Sequence, residues 1–231
     1  MKIALLGYGK MGKIIEKLAI EKGHTVVYTS TRNGSSGVLV DADTAIDFSS
    51  PDIAKENIMK CIDHAIPIVS GTTGWLKDYD EVAEFCEKQH GSFLYASNFS
   101  IGVNLFFKIN EYTAKLMKDY KDYTVSVEEI HHTEKKDEPS GTAITITEDI
   151  LRNSDKKEWI LNNKKQDAVT ITAMREHDVK GTHTVEYESK IDTISLKHEA
   201  HSREGFALGA ILAAEWIVDK KGVFSMQDVL R

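Results

Sequence analysis

The sequence predicts an α/β chain of two domains, a doubly wound parallel sheet followed by an α+β domain with a mixed or antiparallel sheet. Three observations support this prediction. A glycine-rich turn at residues 7–12 follows the first apolar run. Short apolar runs then alternate with helical patterns as far as residue 96. After residue 123 the runs alternate apolar and polar residues, which is typical of strands with one solvent-facing side.

In the first domain the expected strands lie at 2–6, 25–29, 44–48, 67–70 and 92–96. The expected helices between them lie at 10–22, 53–63 and 78–89. Strands separated by helices of this length form parallel sheets with right-handed crossovers. We therefore assign residues 1–102 to this domain, and we expect residues 204–231, which include an Ala-rich helix at 206–218, to return and complete it.

The second domain is expected at residues 103–203 and begins with a helix at 104–118, where apolar residues recur at helical spacing. Its expected strands lie at 123–130, 168–173, 182–189 and 192–199. The polar, charge-rich segment 156–166 is expected to be a surface loop or a short exposed helix.

The composition argues against some classes of function. The chain has 231 residues, 41% hydrophobic and 28% charged, as is ordinary for a globular protein. Its formal net charge of −7 argues against general nucleic-acid binding, and no apolar run approaches the roughly 18 residues that span a bilayer. Cys61 and Cys86 are far apart and lack metal-ligand spacing, so we predict free thiols in a reducing cytoplasm.

The turn after the first expected strand matches the dinucleotide-binding pattern GxGxxG and opens the first expected helix, which marks a Rossmann-type domain. The matching residues are Gly7, Tyr8, Gly9, Lys10, Met11 and Gly12. Gly7 permits the tight turn, Gly9 lets the backbone approach the pyrophosphate, and Gly12 allows close helix packing. The sequence therefore predicts a nicotinamide-dinucleotide site at the helix N-terminus.

Residues at the end of the second expected strand indicate which dinucleotide binds. The acidic residue that grips the ribose 2′-hydroxyl of NADH is missing there, and Thr31 and Arg32 stand in its place. A guanidinium suits a 2′-phosphate, so we predict that NADPH is preferred over NADH. The alternative is that Arg32 stacks on the adenine or lies in solvent.

A second cluster of reactive side chains lies at residues 128–143, where an expected strand runs into a loop and then a helix. His131, His132 and Lys135 suit proton donation and the binding of carboxylates. Three plainer interpretations remain: a solvated charged loop, a metal site, or a helix cap at Ser140 or Thr142. Adjacent residues of a strand point in opposite directions, so His131 and His132 do not easily share an ion, and we predict no metal.

This segment, from Glu129 to Ala143, resembles the E-x-H-H-x-x-K-x-D-x-P-S-G-T-A signature of the dihydrodipicolinate reductase family. Residues 71–74 are similar to its GTTG loop, and residues 96–104 to its A-x-N-F-S-x-G-V-N segment. Residues 202–210 resemble its entry into the final helix. The resemblance runs in order from residue 1 to about residue 218.

The resemblance implies NAD(P)H-dependent reduction of 4-hydroxy-tetrahydrodipicolinate, a small cyclic imine with two carboxylates, to tetrahydrodipicolinate in the diaminopimelate route to lysine. It implies His131 as proton donor and Lys135 as a catalytic, substrate-binding cation. The implied substrate-binding residues are His132, Ser140, Gly141 and Thr142. The residues implied to line the nicotinamide half of the cofactor are Gly71, Thr72, Thr73, Ala96, Ser97, Asn98 and Phe99. The family is usually tetrameric, which implies a homotetramer.

Two alternatives are another two-domain NAD(P)H-dependent amino-acid oxidoreductase and a dinucleotide-sensing module without chemistry. The first has no reason to carry the 128–143 segment, and the second predicts a degraded catalytic loop. This chain departs from the family pattern in lacking the acid after the second strand. Its segment 33–42 is also short, so an element is expected to be missing there.

Overall fold

The computed structural model describes residues 1–231, which form two compact units. One comprises Met1–Ile101 with Glu204–Arg231, and the other Gly102–Arg203. The strands are β1 (Lys2–Leu6), β2 (Thr25–Thr31), β3 (Gly34–Gly37), β4 (Thr44–Asp47), β5 (Ile68–Ser70), β6 (Ser92–Tyr95), β7 (Thr124–His131), β8 (Glu158–Leu161), β9 (Ala168–Arg175), β10 (Thr182–Glu188), β11 (Thr193–Glu199) and β12 (Gly222–Phe224). The helices are α1 (Lys10–Glu21), α2 (Pro51–Asp63), α3 (Tyr79–Lys88), α4 (Ile101–Met117), α5 (Gly141–Arg152), α6 (Glu204–Ile217) and α7 (Met226–Val229).

The first unit contains a seven-stranded sheet in the order β12-β6-β5-β4-β1-β2-β3. Every pairing is parallel except that of β3, which is antiparallel to β2. The chain starts at β1 and builds outward on both sides, so the strand order reverses between β1 and β4. In such sheets ligands bind beyond the carboxyl ends of the strands at this reversal. The predicted doubly wound parallel sheet is confirmed.

Alternate residues of β1 enter two different hydrophobic cores. Ile3 and Leu5 pack with residues of α1 and α6, whereas Ala4 and Leu6 pack with residues of α2 and α3. The sheet is therefore covered on both faces, as a parallel sheet requires. Helix α6 lies so close to the segment that follows β6 that a Cβ atom on Gly209 would stand 1.7 Å from the Phe99 carbonyl oxygen.

The second unit contains a five-stranded mixed sheet in the order β11-β10-β7-β9-β8. Strand β7 is antiparallel to β10 and parallel to β9. On one face, Val127, Ile171 and Val185 are buried against α4 and α5 residues such as Phe106 and Ile146. The same face carries Glu129 further along β7, opposite His183 of β10. The predicted α+β arrangement with a mixed sheet is confirmed.

Four elements differ from the sequence-based expectations. The expectation of a loop or helix at 156–166 is wrong, because Glu158–Leu161 forms β8 and pairs in parallel with β9. The short segment after β2 is not without structure, because Gly34–Gly37 form the edge strand β3 and Leu39–Asp41 form a single 3-10 turn. The chain end adds β12 and α7, which were not anticipated. No helix combines the length and the hydropathy that crossing a bilayer requires.

Candidate active site

Backbone hydrogen bonds to β2 hold the glycine-rich turn that follows β1. The N–H groups of Gly7 and Tyr8 donate to the carbonyl of Ser30, at 3.1 and 2.7 Å. Gly7 has φ +91°, and a Cβ there would stand 2.2 Å from the Phe48 carbonyl oxygen, so only glycine fits. A Cβ on Gly9 would meet nothing within 4 Å, which leaves the backbone of this residue open to a ligand.

A cavity of about 240 Å³ lies beside this turn, and its walls include Gly7, Tyr8, Gly9, Thr31 and Arg32. These five residues were predicted from sequence, and the remaining wall residues are Ser30, Phe48, Ser49, Ser50 and Ile53. The other three fingerprint residues begin α1: Lys10, Met11 and Gly12. First-turn N–H groups of a helix have no partner within it and attract anions. The turn and the cavity therefore fit a dinucleotide phosphate.

Thr31 and Arg32 occupy the end of β2 and the tight connection to β3. The Thr31 hydroxyl donates to the Gly34 carbonyl (3.2 Å) and accepts the Asn33 N–H (3.2 Å), so it shapes the turn. Arg32 is exposed at the cavity wall. Hydrogen bonds from its own backbone and from Ser50, together with the charge of Arg32, lower the pKa of Asp52. The structure thus brings an acid near Arg32 from α2, which inspection of the strand end alone missed.

The loop at residues 71–74 is anchored by a buried carboxylate. The Thr72 hydroxyl donates to Asp47 Oδ2 (2.6 Å) and accepts the Ser49 N–H (2.9 Å), while Ser70 Oγ and Asn57 Nδ2 also donate to Asp47. Burial raises the pKa of Asp47, and these hydrogen bonds act in the opposite direction. Thr72 is therefore engaged in holding the loop.

Within the same loop, Gly71 is half-buried against the Phe48 ring, and Thr73 is exposed. The Thr73 hydroxyl is thus better placed than that of Thr72 to meet a ligand.

The segment after β6 is held by hydrogen bonds and by the packing of one aromatic ring. Ala96 N–H donates to the Ser70 carbonyl at 3.2 Å, and Asn98 Oδ1 accepts the Ser100 N–H at 2.8 Å. Phe99 is buried and packs on Phe48, with 5.8 Å between ring centroids, whereas Ser97 is exposed. Phe99 therefore supports the segment from the core.

In the second unit, the ends of β7, β9 and β10 bring together side chains that are far apart in sequence. Glu129 and His131 lie two residues apart on one face of β7, and His183 is the cross-strand neighbour of Glu129. All three are buried. The rings of His131 and His183 meet edge to face, with centroids 5.0 Å apart. Sequence reasoning identified His131 but not His183, whose position depends on the register of β10.

Glu129 is the centre of this cluster and is completely buried. Its Oε2 accepts the Ser140 N–H at 3.0 Å and lies 3.6 Å from His131 Nδ1. Its Oε1 lies 3.3 Å from Nη1 of Arg175. The carboxylate thus ties the strand to the start of α5.

Arg175, which sequence reasoning did not select, also holds the loop that carries Lys135. Its Nη2 donates to the Asp137 carbonyl (2.8 Å) and its Nε to the Lys135 carbonyl (3.4 Å). The Lys135 ammonium contacts both carboxylate oxygens of Asp137, at 2.7 and 2.8 Å. Partial burial acts to raise the pKa of Asp137, but the hydrogen bonds and charge of Lys135 outweigh it and lower that pKa. His132 precedes this loop and is half-buried.

Burial changes the acid–base behaviour of the two histidines. It lowers the pKa of His131 to about 4, assisted by the charges of Lys135 and Arg175 and opposed by Glu129. It lowers the pKa of His183 to about 3, assisted by His131. Both imidazoles are therefore neutral near pH 7 in this structure. Desolvation disfavours the charged form of each ring, so both pKa values lie below the ordinary value of 6.5.

Ser140 caps α5, as the plainer interpretation allowed. Its Oγ accepts the Ala143 N–H at 3.1 Å and lies 3.3 Å from His183 Nε2. Gly141 and Thr142 form the first turn of α5, whose N–H groups suit a carboxylate. A Cβ on Gly141 would meet nothing within 4 Å, so this helix start is open.

Glu129, His131 and His183 also place three atoms that could hold a metal ion within 4.8 Å of one another. This set differs from the pair His131 and His132 considered from sequence. Arg175 already faces the same carboxylate, and a resident cation at 3.3 Å opposes a second one. The cluster is better explained as a hydrogen-bonding network.

Comparison with known proteins identifies the family. Residues 1–99 match the family model of the dihydrodipicolinate reductase N-terminus, and residues 102–230 match that of its C-terminus. A 4-hydroxy-tetrahydrodipicolinate reductase from Christiangramia forsetii is 52% identical over 100% of this chain and 98% of its own length. One from Archaeoglobus fulgidus is 34% identical over 100% of both chains.

The fold agrees with this result. A solved structure of dipicolinate-bound dihydrodipicolinate reductase from Paenisporosarcina superposes with a TM-score of 0.81, at 19% identity, over 99% of this chain and 98% of that one. The chain belongs to the dihydrodipicolinate reductase family and is an NAD(P)H-dependent reductase of 4-hydroxy-tetrahydrodipicolinate in the diaminopimelate route to lysine.

Proposed function

We propose that the chain carries out this reduction with NADPH as preferred donor, with His131 as proton donor and Lys135 as the cation that stabilises developing negative charge. The proposal rests on one observation: the same ion pair, Glu129 with Arg175, contacts His131 and the loop that carries Lys135. Glu129 faces His131 and Ser140, and Arg175 joins Glu129 to the Lys135 loop. One buried ion pair therefore organises the proton donor, the cation and the start of α5.

The chemistry of the substrate fits these groups. Loss of the 4-hydroxyl as water leaves an unsaturated imine, and NADPH, when bound, supplies the hydride that reaches C4. The enamine that results takes a proton at C3, for which His131 is the candidate acid. The first-turn N–H groups of Gly141 and Thr142 suit one substrate carboxylate, with Ser140 holding that turn and His132 beside it.

The low pKa of free His131 is compatible with this role. A dicarboxylate bound beside His131 brings negative charge into a buried site, which favours the imidazolium and raises the pKa of His131. Lys135 is 22% exposed and can turn from Asp137 towards such a ligand. We therefore expect His131 to acquire its proton in the substrate complex.

The test is a coupled assay in which the preceding synthase supplies the substrate and the oxidation of NADPH and NADH is followed in parallel. His131→Gln should lower kcat by about 10²–10⁴, the usual range for the loss of a general acid. His177→Gln, at an exposed histidine of the same unit, is the matched control and should leave kcat unchanged. Near-complete turnover by His131→Gln would remove this residue as the donor.

We also propose that the chain forms a homotetramer through the sheet of the second unit. Helices cover only one face of that sheet. The other face carries partly exposed polar residues, among them Ser126, Thr170 and Thr184. Light scattering coupled to gel filtration tests this, and a monomeric mass at micromolar concentration would contradict it.

We place the protein in the cytoplasm. Cys61 and Cys86 are both buried and unpaired, as suits a reducing compartment. Burial raises their pKa values to about 12 and about 11, so neither thiol is reactive near neutral pH.

A further inference from the structure

The carboxylate of Glu129 lies between Arg175 and the two buried histidines. Its two carboxylate oxygens face different partners. Oε1 lies 3.3 Å from Arg175 Nη1, while Oε2 lies 3.6 Å from His131 Nδ1 and 3.9 Å from His183 Nε2. The oxygen turned to the histidines therefore stands beside the candidate proton donor.

The contacts of Glu129 keep it an acceptor of hydrogen bonds. An isolated buried carboxylate is costly, but Arg175 and the Ser140 N–H supply a countercharge and a donor. Arg175 faces Oε1, and the Ser140 N–H reaches Oε2 at 3.0 Å. A carboxylate oxygen has two lone pairs, so Oε2 can still accept a proton-bearing nitrogen of His131.

The two nitrogens of His131 have different surroundings. Nδ1 is buried, faces Glu129, and has no partner within hydrogen-bonding distance. Nε2 faces Gly181, where a Cβ would stand only 3.3 Å away. Glycine at 181 therefore keeps the space beside Nε2 clear, and Nε2 is the nitrogen with room for a reacting atom.

We propose that Glu129 is a positioning residue for His131: its Oε2 accepts the Nδ1–H, which leaves Nε2 as the nitrogen that delivers the proton. This rests on the proposed role of His131 as donor. A small movement of the imidazole, of a few tenths of an ångström, turns the 3.6 Å separation into a hydrogen bond when the ring becomes charged. The neutral ring then carries its proton on Nδ1, and the imidazolium adds the reactive proton at Nε2.

Among the charged groups around His131, Glu129 is the one that most favours the imidazolium form. The groups that face it are Glu129 on its own strand, Lys135 and Asp137 in the following loop, Arg175 on β9 and His183 on β10. Lys135 and Arg175 disfavour the imidazolium, and of the two carboxylates only Glu129 is buried. Removing the charge of Glu129 therefore removes the main support for a charged His131.

The first test is the nitrogen-15 NMR spectrum of the full-length protein at pH 7 without ligand. In the wild type, neutral His131 should carry its proton on Nδ1. In Glu129→Gln the amide oxygen should turn to Arg175 and the NH₂ group to His131, so the proton should move to Nε2. Glu128→Gln, at the neighbouring residue on the opposite face of β7, is the matched control and should leave the wild-type spectrum unchanged.

The second test is the pH profile of kcat. Glu129→Gln should lower kcat by at least about tenfold with little change in KM, because the wrong tautomer places no proton at the reacting nitrogen. The apparent pKa that governs the acid should also fall, and Glu129→Asp should recover part of both.

The outcomes separate the two claims. If wild-type His131 carries its proton on Nε2, or if Glu129→Gln changes neither the tautomer nor the pH profile, the positioning role is wrong, whatever His131→Gln does. If His131→Gln keeps its turnover, the proposed donor is wrong, whatever the spectra show. Should Glu129→Gln fail to fold, the wild-type and Glu129→Asp spectra still decide.

Discussion

Arg32 is the residue on which cofactor choice is expected to depend, since it stands at the cavity beside the glycine-rich turn. A guanidinium there attracts a 2′-phosphate, whereas Asp52 close by would repel it. Arg32→Ala should therefore raise KM for NADPH by about tenfold and leave KM for NADH nearly unchanged. Steady-state kinetics with both cofactors measures this.

Asp52→Asn serves as the opposite change. It should lower KM for NADPH or leave it unaltered, because it removes a negative charge near the phosphate position. An equal effect of Arg32→Ala on both cofactors would instead indicate that Arg32 supports the connection between β2 and β3.

Lys135, the proposed catalytic cation, contacts the carboxylate of Asp137. Both side chains reach solvent, so the ammonium can leave Asp137 for a substrate carboxylate at modest cost. Lys135→Ala should lower kcat/KM by at least about tenfold, as expected for the loss of a charge that stabilises the transition state. Lys136→Ala, at the exposed neighbour, should change it less than twofold. Similar kinetics for the two variants would exclude the proposed role of Lys135.

The sequence indicated the candidate residues that belong to a recognisable motif. It did not indicate residues that reach the cluster only through the pairing of strands. His131 and Lys135 sit in one continuous segment and could be chosen directly. Arg175 and His183 approach Glu129 only because β9 and β10 both pair with β7. The one available signal was that His183 lies at the start of the expected strand 182–189 and Arg175 just beyond the expected strand 168–173, at positions where side chains of neighbouring strands converge.

Among the elements, β8 shows why a polar pattern misled. Its residues Glu158–Leu161 are exposed or half-buried, and the flanking lysines suggested a solvated loop. A short edge strand is hydrogen-bonded to one neighbour only, here β9. Its residues therefore need not alternate between apolar and polar types. The Asn33-Gly34 pair at the start of β3 was, by contrast, a hairpin signal present in the sequence.

Helix α6 is an element that its Ala-rich composition did predict. Its Ala-rich face allows close approach to the first sheet, and Gly209 is the point of closest approach. Gly209→Ala should destabilise the protein by more than about 2 kcal/mol, because the added methyl group meets the Phe99 carbonyl, a backbone group that cannot move aside easily.

Gly205→Ala on the same helix is the matched control, since its Cβ would stand 3.8 Å from Ser100 Oγ. It should be neutral or slightly stabilising. Urea unfolding followed by circular dichroism measures both variants, and equal midpoints would show that the backbone of α6 adjusts freely.

The whole molecule should lose stability as the pH falls, in part because it buries neutral histidines. His131 and His183 have pKa values of about 4 and about 3 in the folded chain, below the ordinary value of 6.5. As the pH falls below about 6.5, the unfolded chain binds protons that the folded chain does not. The free energy of unfolding therefore decreases, by up to about 1.4 kcal/mol per pH unit for each group.

Carboxyl groups with raised pKa values act in the opposite direction. Burial raises the pKa of Asp149 to about 6, so the folded chain takes up that proton first and gains stability as the pH falls. A comparison of variants isolates the histidine contribution from this one. His183→Gln should flatten the dependence of the urea midpoint on pH between about pH 4 and 6, whereas His177→Gln, at an exposed position, should not. An unchanged slope in His183→Gln would mean that His183 titrates normally in the folded protein and that burial is offset by its neighbours.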